Sequence, residues 1–116
     1  MKIVGCDLHA RQQAIAMMDV ETGELTHKML LHEGNAVREF YSTLQGAVVV
    51  GIEATGAMQW FLELLEELGI EYRVGHPAKI RAQETRKQKN GRRDAGLLLT
   101  LLWLGIAVLA RPSLPH

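Results

Sequence analysis

The chain has 116 residues, of which 47% are hydrophobic and 22% charged, and its 13 Lys and Arg balance 13 Asp and Glu. This length supports one domain around one core and excludes two, and the composition excludes a disordered or low-complexity protein. We therefore expect a single domain over residues 1–116. Cys6 is the only cysteine, which excludes an intrachain disulfide and favours a cytoplasmic protein. Val4 and Leu8 share its strand face, so we expect a buried, unreactive thiol.

The charges are distributed unevenly along the chain. Residues 1–72 contain four Lys and Arg against eleven Asp and Glu, a net charge of −7. Residues 73–93 contain eight Lys and Arg against one Glu, a net charge of +7. A basic segment beside an acidic body indicates a polyanionic partner, and a solvated surface loop is the alternative.

The first third of the chain predicts three antiparallel strands. Residues 2–8, 13–20 and 25–32 have the apolar and β-branched content of strands, and turn signals lie between them at 9–12 and 21–24.

A helix and a buried strand are predicted next. Asn35 is expected to cap the helix and Gly46 to end it. Its apolar residues fall on one face at helical spacing: Val37, Phe40, Tyr41 and Leu44. The valine-rich run 47–52 is typical of a strand buried on both faces.

Three elements complete the prediction: a helix over 57–68, a strand over 70–74 and an apolar helix from 92 to 110. Trp60 and Trp103 lie on apolar helix faces, and we expect both in the core. The charge-free run within the last helix is shorter than the ~20 residues that cross a bilayer, so we favour a buried helix over a membrane span.

The order of elements predicts an α/β domain. Three strands form a meander, and two more join the sheet through right-handed helical crossovers, which gives a mixed five-stranded sheet with helices packed on it.

Three acidic residues stand where a carboxylate costs folding free energy unless a cation or a hydrogen-bond donor compensates its charge. Asp7 ends the first strand, Glu53 follows the run 47–52, and Asp94 opens the last helix. If the strand at 47–52 lies parallel to the first, Asp7 and Glu53 share one sheet edge, and Asp94 can reach it. Three oxygen donors suit Mg²⁺ or Mn²⁺, which predicts a metal-dependent nuclease site. Each acid alone also fits a helix cap or an ion pair.

The basic segment leads directly into the third acid. Five of its residues are the predicted nucleic-acid contacts: Arg86, Lys87, Lys89, Arg92 and Arg93. Phosphates bound there would lie close to a metal held by Asp94, but phosphate contacts alone do not read a sequence.

Three short motifs follow one another along the chain, and their order is specific: GCDLHA, IEATGA and RKQKNGRRDAGLLL. In these motifs the chain resembles the N-terminal domain of the DEDD transposases of the insertion-sequence 110 family, which includes the Piv-type invertases. The resemblance implies an RNase H-like, RuvC-like fold in which acids bind Mg²⁺, with Asp7, Glu53 and Asp94 matching the first, second and last acid. It also implies a mobile-element recombinase that acts on DNA with a structured guide RNA. Such a protein is expected to form homo-oligomers and not to associate with a membrane.

The chain departs from this family pattern in two ways. Gly91 stands where the third acid belongs, and Asn90 offers only a neutral carbonyl oxygen as a substitute. The further C-terminal domain that supplies a serine in the family is expected to be lacking. The alternative function is therefore a non-catalytic nucleic-acid-binding module derived from such a transposase.

Other signals near the acids are weaker. A sugar-kinase or actin-like ATPase half-domain also begins with a strand that ends in Gly-x-Asp. Those proteins continue with Gly and Ser or Thr, whereas Leu8, His9 and Ala10 follow here. His9 either orients a water or phosphate or simply forms the turn. Thr55 either helps a helix N-terminus to hold phosphate or is a plain cap.

Overall fold

The computed structural model describes residues 1–76, 100, 101 and 103–105. The predicted basic segment beyond residue 76 and most of the predicted last helix lie outside this range.

The seven elements appear in the predicted order, with ends that differ by a few residues from the sequence-based bounds. They are β1 Lys2–Leu8, β2 Gln12–Asp19, β3 Leu25–Leu31, α1 Ala36–Ser42, β4 Val48–Glu53, α2 Gln59–Glu67 and β5 Glu71–Gly75. Residues 100, 101 and 103–105 are helical, in agreement with the predicted last helix.

The strands form one mixed five-stranded sheet in the order β3-β2-β1-β4-β5. β1, β2 and β3 are antiparallel neighbours, whereas β4 is parallel to both β1 and β5. The α/β class, the meander and the parallel placement of β4 beside β1 are therefore confirmed.

Both faces of the sheet are covered at its centre. On one face, α1 and α2 pack over strand residues such as Val4, Val50 and Ile52. On the other, Leu101 and Leu104 pack over Ile3 and Val49. Alternate residues of β4 are buried on opposite faces, as the continuous apolar run predicts.

Gly69 ends α2 because the chain there needs a left-handed backbone, with φ at 72°. The N–H of Gly69 donates to the Glu66 carbonyl at 3.1 Å, and the N–H of Ile70 donates to the Leu65 carbonyl at 2.9 Å. This pair of bonds is a Schellman motif, and it turns the chain directly into β5.

The predicted helix starts are confirmed only in part. Asn35 stands at the N-cap of α1, but its side chain makes no capping hydrogen bond, because its backbone angles (φ −108°, ψ 19°) are not the extended ones that a side-chain cap requires. α2 begins at Gln59 rather than at residue 57, with Met58 at its N-cap.

The expectation that Trp60 belongs to the core is also wrong, since 41% of this residue is exposed. Phe61 and Leu65 define the buried face of α2, and Trp60 lies at its border in the first turn. Helical spacing marks the centre of an apolar face better than its edge. Trp103 is partly buried against the second core cluster, as expected.

Within the described residues, no helix has the length and apolar character needed to cross a membrane.

Candidate metal centre

The sheet brings two of the three predicted acids together. Cys6 of β1 and Ile52 of β4 are partners in the parallel register, and Asp7 and Glu53 are the next residue of each strand. Because both strands run the same way, the two carboxylates leave the sheet at the same edge.

Asp7 and Glu53 line one cavity of about 290 Å³. Its other lining residues come from the ends of β1 and β4, from the loop that follows β4 and from the C-terminal helical residues: Cys6, Leu8, Ala54, Thr55 and Thr100. The cavity therefore joins two strand ends to a third segment that is distant in sequence.

Asp7 has His9 as its immediate neighbour. His9 Nε2 lies 3.1 Å from Asp7 Oδ2, and both side chains are more than half exposed, at 58% and 51%. The His9 N–H donates to the Gln12 carbonyl at 2.9 Å, which holds the tight turn between β1 and β2. His9 is thus a turn residue, as one of the two sequence interpretations predicts, and its ring also contacts the acid; that it orients a water or phosphate stays a prediction.

Glu53 is half-buried and lies opposite Gly75 in the β4–β5 register. The next residue, Ala54, donates its N–H to the Gly75 carbonyl at 2.8 Å, so the pairing continues to the sheet edge. A Cβ on Gly75 would come within 2.8 Å of the Trp103 ring. This close approach places Trp103 against the end of β5, beside the strand end that carries Glu53.

Thr100 contributes a hydroxyl-bearing side chain to the cavity and is only 3% exposed. Sequence reasoning treated it merely as an interruption of an apolar helix. It is the one hydroxyl in the charge-free run 95–110, and that isolation was the available signal. A polar residue is rarely buried in such a run unless its hydroxyl meets a partner.

Thr55 is also part of this cavity and does not cap α2. The helix starts four residues later at Gln59, and no side chain makes a capping hydrogen bond to it. The loop between β4 and α2 lines the cavity through Ala54 and Thr55.

Cys6 is fully buried beneath the site, as predicted. Burial raises the pKa of the Cys6 thiol far above its usual range, and the charge of Asp7 raises it further, while a hydrogen bond with Tyr41 acts in the opposite direction. A thiol held in its neutral form is a poor nucleophile and a poor metal ligand.

Gln13 anchors a buried polar network that the sequence analysis missed. This side chain is 0% exposed, and its Oε1 accepts the Tyr41 hydroxyl at 2.8 Å and the Cys6 thiol at 3.4 Å. Its Nε2 lies 3.3 Å from His32 Nε2, and His32 Nδ1 lies 3.2 Å from the Ala10 carbonyl. Since the Ala10 carbonyl can only accept, Nδ1 carries the proton and His32 Nε2 accepts from Gln13.

The alternation of inward and outward residues along β2 could have revealed the buried Gln13. Gln13 shares a strand face with the buried Ile15, which made an inward amide foreseeable. Its partners come from β1, α1 and the residue after β3, and their convergence depends on tertiary structure.

The donor set fits a hard divalent cation, because the cavity presents two carboxylates and two hydroxyl-bearing side chains. Among residues 1–76 and the five described near the C-terminus, no three His, Cys, Asp or Glu are grouped to hold a metal. The predicted third ligand, Asp94, lies outside the described residues. The same holds for the five predicted nucleic-acid contacts: Arg86, Lys87, Lys89, Arg92 and Arg93.

No model of a known protein family matches the chain, and no curated protein is significantly similar to it in sequence.

Proposed function

We propose that this chain is the catalytic domain of a DNA transposase or recombinase, with an RNase H-like fold and a site for Mg²⁺ or Mn²⁺. The observation that carries the proposal is the shared cavity of Asp7 and Glu53 at the ends of two parallel strands. The three motifs that resemble the DEDD transposases supply the reaction class.

In this proposal Asp7, Glu53 and Asp94 hold the metal ion. A bound Mg²⁺ would polarise a phosphate and stabilise the charge that develops during strand cleavage. Positioning of the metal and of the phosphate would depend on residues of the chain itself. Asp7 and Glu53 are preorganised by the β1–β4 register, and His9 is close enough to Asp7 to orient it or to contact a phosphate oxygen.

The partners follow from charge and from the resemblance. The basic residues that precede Asp94 bind phosphates next to the metal, so DNA is the proposed substrate. A guide RNA, homo-oligomers and a cytoplasmic location belong to the same proposal. The lone, unreactive Cys6 agrees with a reducing compartment.

A second candidate function rests on Gly91. A glycine in place of the third acid removes one carboxylate, which weakens a two-metal site more than it weakens phosphate binding. The alternative is therefore a nucleic-acid-binding module without catalysis.

Cleavage of a branched DNA substrate distinguishes the two. For the catalytic domain we expect Mg²⁺ or Mn²⁺ to support cleavage, Asp7→Asn to abolish it, and Gly91→Asp to increase it. Salt-sensitive DNA binding in which divalent ions and Asp7→Asn have no effect would instead establish the binding module.

A further inference from the structure

A second and larger groove lies beside the outer half of the sheet, between the β3–α1 loop and α2. It has a volume of about 570 Å³ and shares no lining residue with the cavity of Asp7 and Glu53. The residues that give it its chemistry are His32, Glu33, Arg38, Trp60, Glu63 and Glu67. We call it the Trp60 groove.

Trp60 forms an exposed aromatic surface in this groove, and its orientation is fixed. The His32 ring meets it edge to face, with centroids 4.8 Å apart, and the Phe61 ring lies 5.5 Å away. His32 is itself held through the Gln13 network. An indole that is 41% exposed yet held on two sides loses little conformational entropy when a ligand covers it.

The charges around Trp60 favour a cation. Three carboxylates line the groove, from Glu33, Glu63 and Glu67, whereas Arg38 is the only Lys or Arg among the described residues that line it. Arg38 is already paired with Glu67, which shows that a guanidinium fits there. Glu63 accepts a hydrogen bond from the Gln59 amide, and this donor brings no positive charge to the carboxylate.

We propose that the Trp60 groove docks an arginine-bearing or lysine-bearing segment of a different protein. The cation lies over the indole face, where a cation–π contact is strongest, and Glu63 and Glu33 flank it. Phosphates of a nucleic acid would be repelled by these carboxylates, whereas a metal ion held by Asp7 and Glu53 would offset the acids of the cavity, so the two sites take different partners.

The proposal does not depend on the nuclease proposal, because the two sites share no residue. Loss of DNA cleavage in Asp7→Asn leaves the groove intact, and loss of peptide binding in Glu63→Gln leaves the cavity intact.

The indole N–H signals of Trp60 and Trp103 in ¹⁵N NMR spectra of the whole chain give a direct test, with Trp60→Phe to assign them. A tri-arginine peptide is expected to shift the Trp60 signal saturably, with an affinity that falls as salt is added. Glu63→Gln is expected to weaken this binding about fivefold. Glu24→Gln, which neutralises an exposed acid outside the groove, is expected to leave it unchanged.

Three results would overturn the proposal. The first is an absence of any shift with tri-arginine. The second is a Trp60 shift produced by oligothymidylate in place of the peptide, which would make the indole a base-stacking surface. The third is a dimer, seen by sedimentation, that Glu63→Gln dissociates, because this would assign the groove to a second copy of the chain.

Discussion

Asp7 and Glu53 stand one residue beyond Cys6 and Ile52, which are partners in the parallel register of β1 and β4, and both acids line one cavity. A divalent ion bound between the two carboxylates would interact favourably with both charges and would stabilise the folded protein.

Neutralising either acid should therefore remove the stabilisation by metal. We expect Mg²⁺ at about ten times its Kd to stabilise the wild-type protein by about 1.4 kcal/mol, and Asp7→Asn or Glu53→Gln to lose this gain. Thermal unfolding with and without Mg²⁺ measures this gain, and Glu24→Gln is the control for an exposed acid remote from the cavity. Metal stabilisation that survives in both variants would contradict the prediction.

The close contact between Gly75 and Trp103 should leave no room for a side chain at residue 75. A Cβ at residue 75 would lie 2.8 Å from two atoms of the Trp103 ring, and an indole cannot yield as a flexible chain can. We expect Gly75→Ala to destabilise the protein by about 1–3 kcal/mol in urea unfolding. Gly56→Ala is the matched control, because a Cβ there meets no atom within 4 Å and needs no unusual φ. Equal stability of the two variants would show that Trp103 does not pack on the end of β5.

The Gln13 network should be sensitive to the loss of its central amide. Gln13→Leu keeps the side-chain size but leaves the buried Tyr41 hydroxyl without the Oε1 that accepts it at 2.8 Å. We expect a loss of about 1–3 kcal/mol in the free energy of unfolding. Tyr41→Phe removes only one donor and is expected to cost about 1 kcal/mol. If Gln13→Leu unfolds at the wild-type urea concentration, the network does not stabilise the fold.

Asp19 should make stability depend on pH at the acidic end. Its Oδ1 accepts the Glu21 N–H at 2.9 Å and the Thr22 N–H at 3.4 Å. The Glu21 hydrogen bond is the main reason that the pKa of Asp19 is lowered from its usual 3.8. Folding therefore favours the charged form of the Asp19 carboxyl. Its contribution to the free energy of unfolding is present above pH ~3.8 and is lost as the pH falls through the lower pKa of the folded state.

Asp19→Asn provides the test, because an amide oxygen can accept the same N–H groups without a charge. We expect the stability difference between wild type and Asp19→Asn to be larger at pH 6 than at pH 3, as measured by urea unfolding at both values. A difference that does not change with pH would show that the carboxylate gains nothing from the turn.

Much of the fold could be predicted because local patterns and global topology agree. The continuous apolar run over β4 identified a strand buried on both faces, and Gly69 marked the end of α2, with φ at 72°. Gly46 was expected to end α1 but does not, because the helix already ends at Ser42. The placement of Asp7 beside Glu53 followed from one assumption, a parallel β4 next to β1, which the register confirms.

What could not be predicted depends on contacts between distant elements. Trp60 reads as a core residue because periodicity does not fix the edge of a helix face, and only the position of His32 shows how the exposed indole is held. In the sequence, Thr100 only interrupts an apolar helix, whereas in the fold it lines the same cavity as Asp7. The metal assignment, the basic contacts and the role of Asp94 remain predictions.

The most direct measurement is paramagnetic broadening by Mn²⁺ of the backbone amide signals of the whole chain. If the carboxylates share a cation, substoichiometric Mn²⁺ will broaden the signals of Asp7, Leu8, Glu53 and Ala54 first, because broadening falls steeply with distance from the ion. Signals from the turn around Thr22, at the opposite edge of the sheet, will remain sharp. Broadening that is absent at the ends of β1 and β4, or centred elsewhere in the protein, would contradict the account.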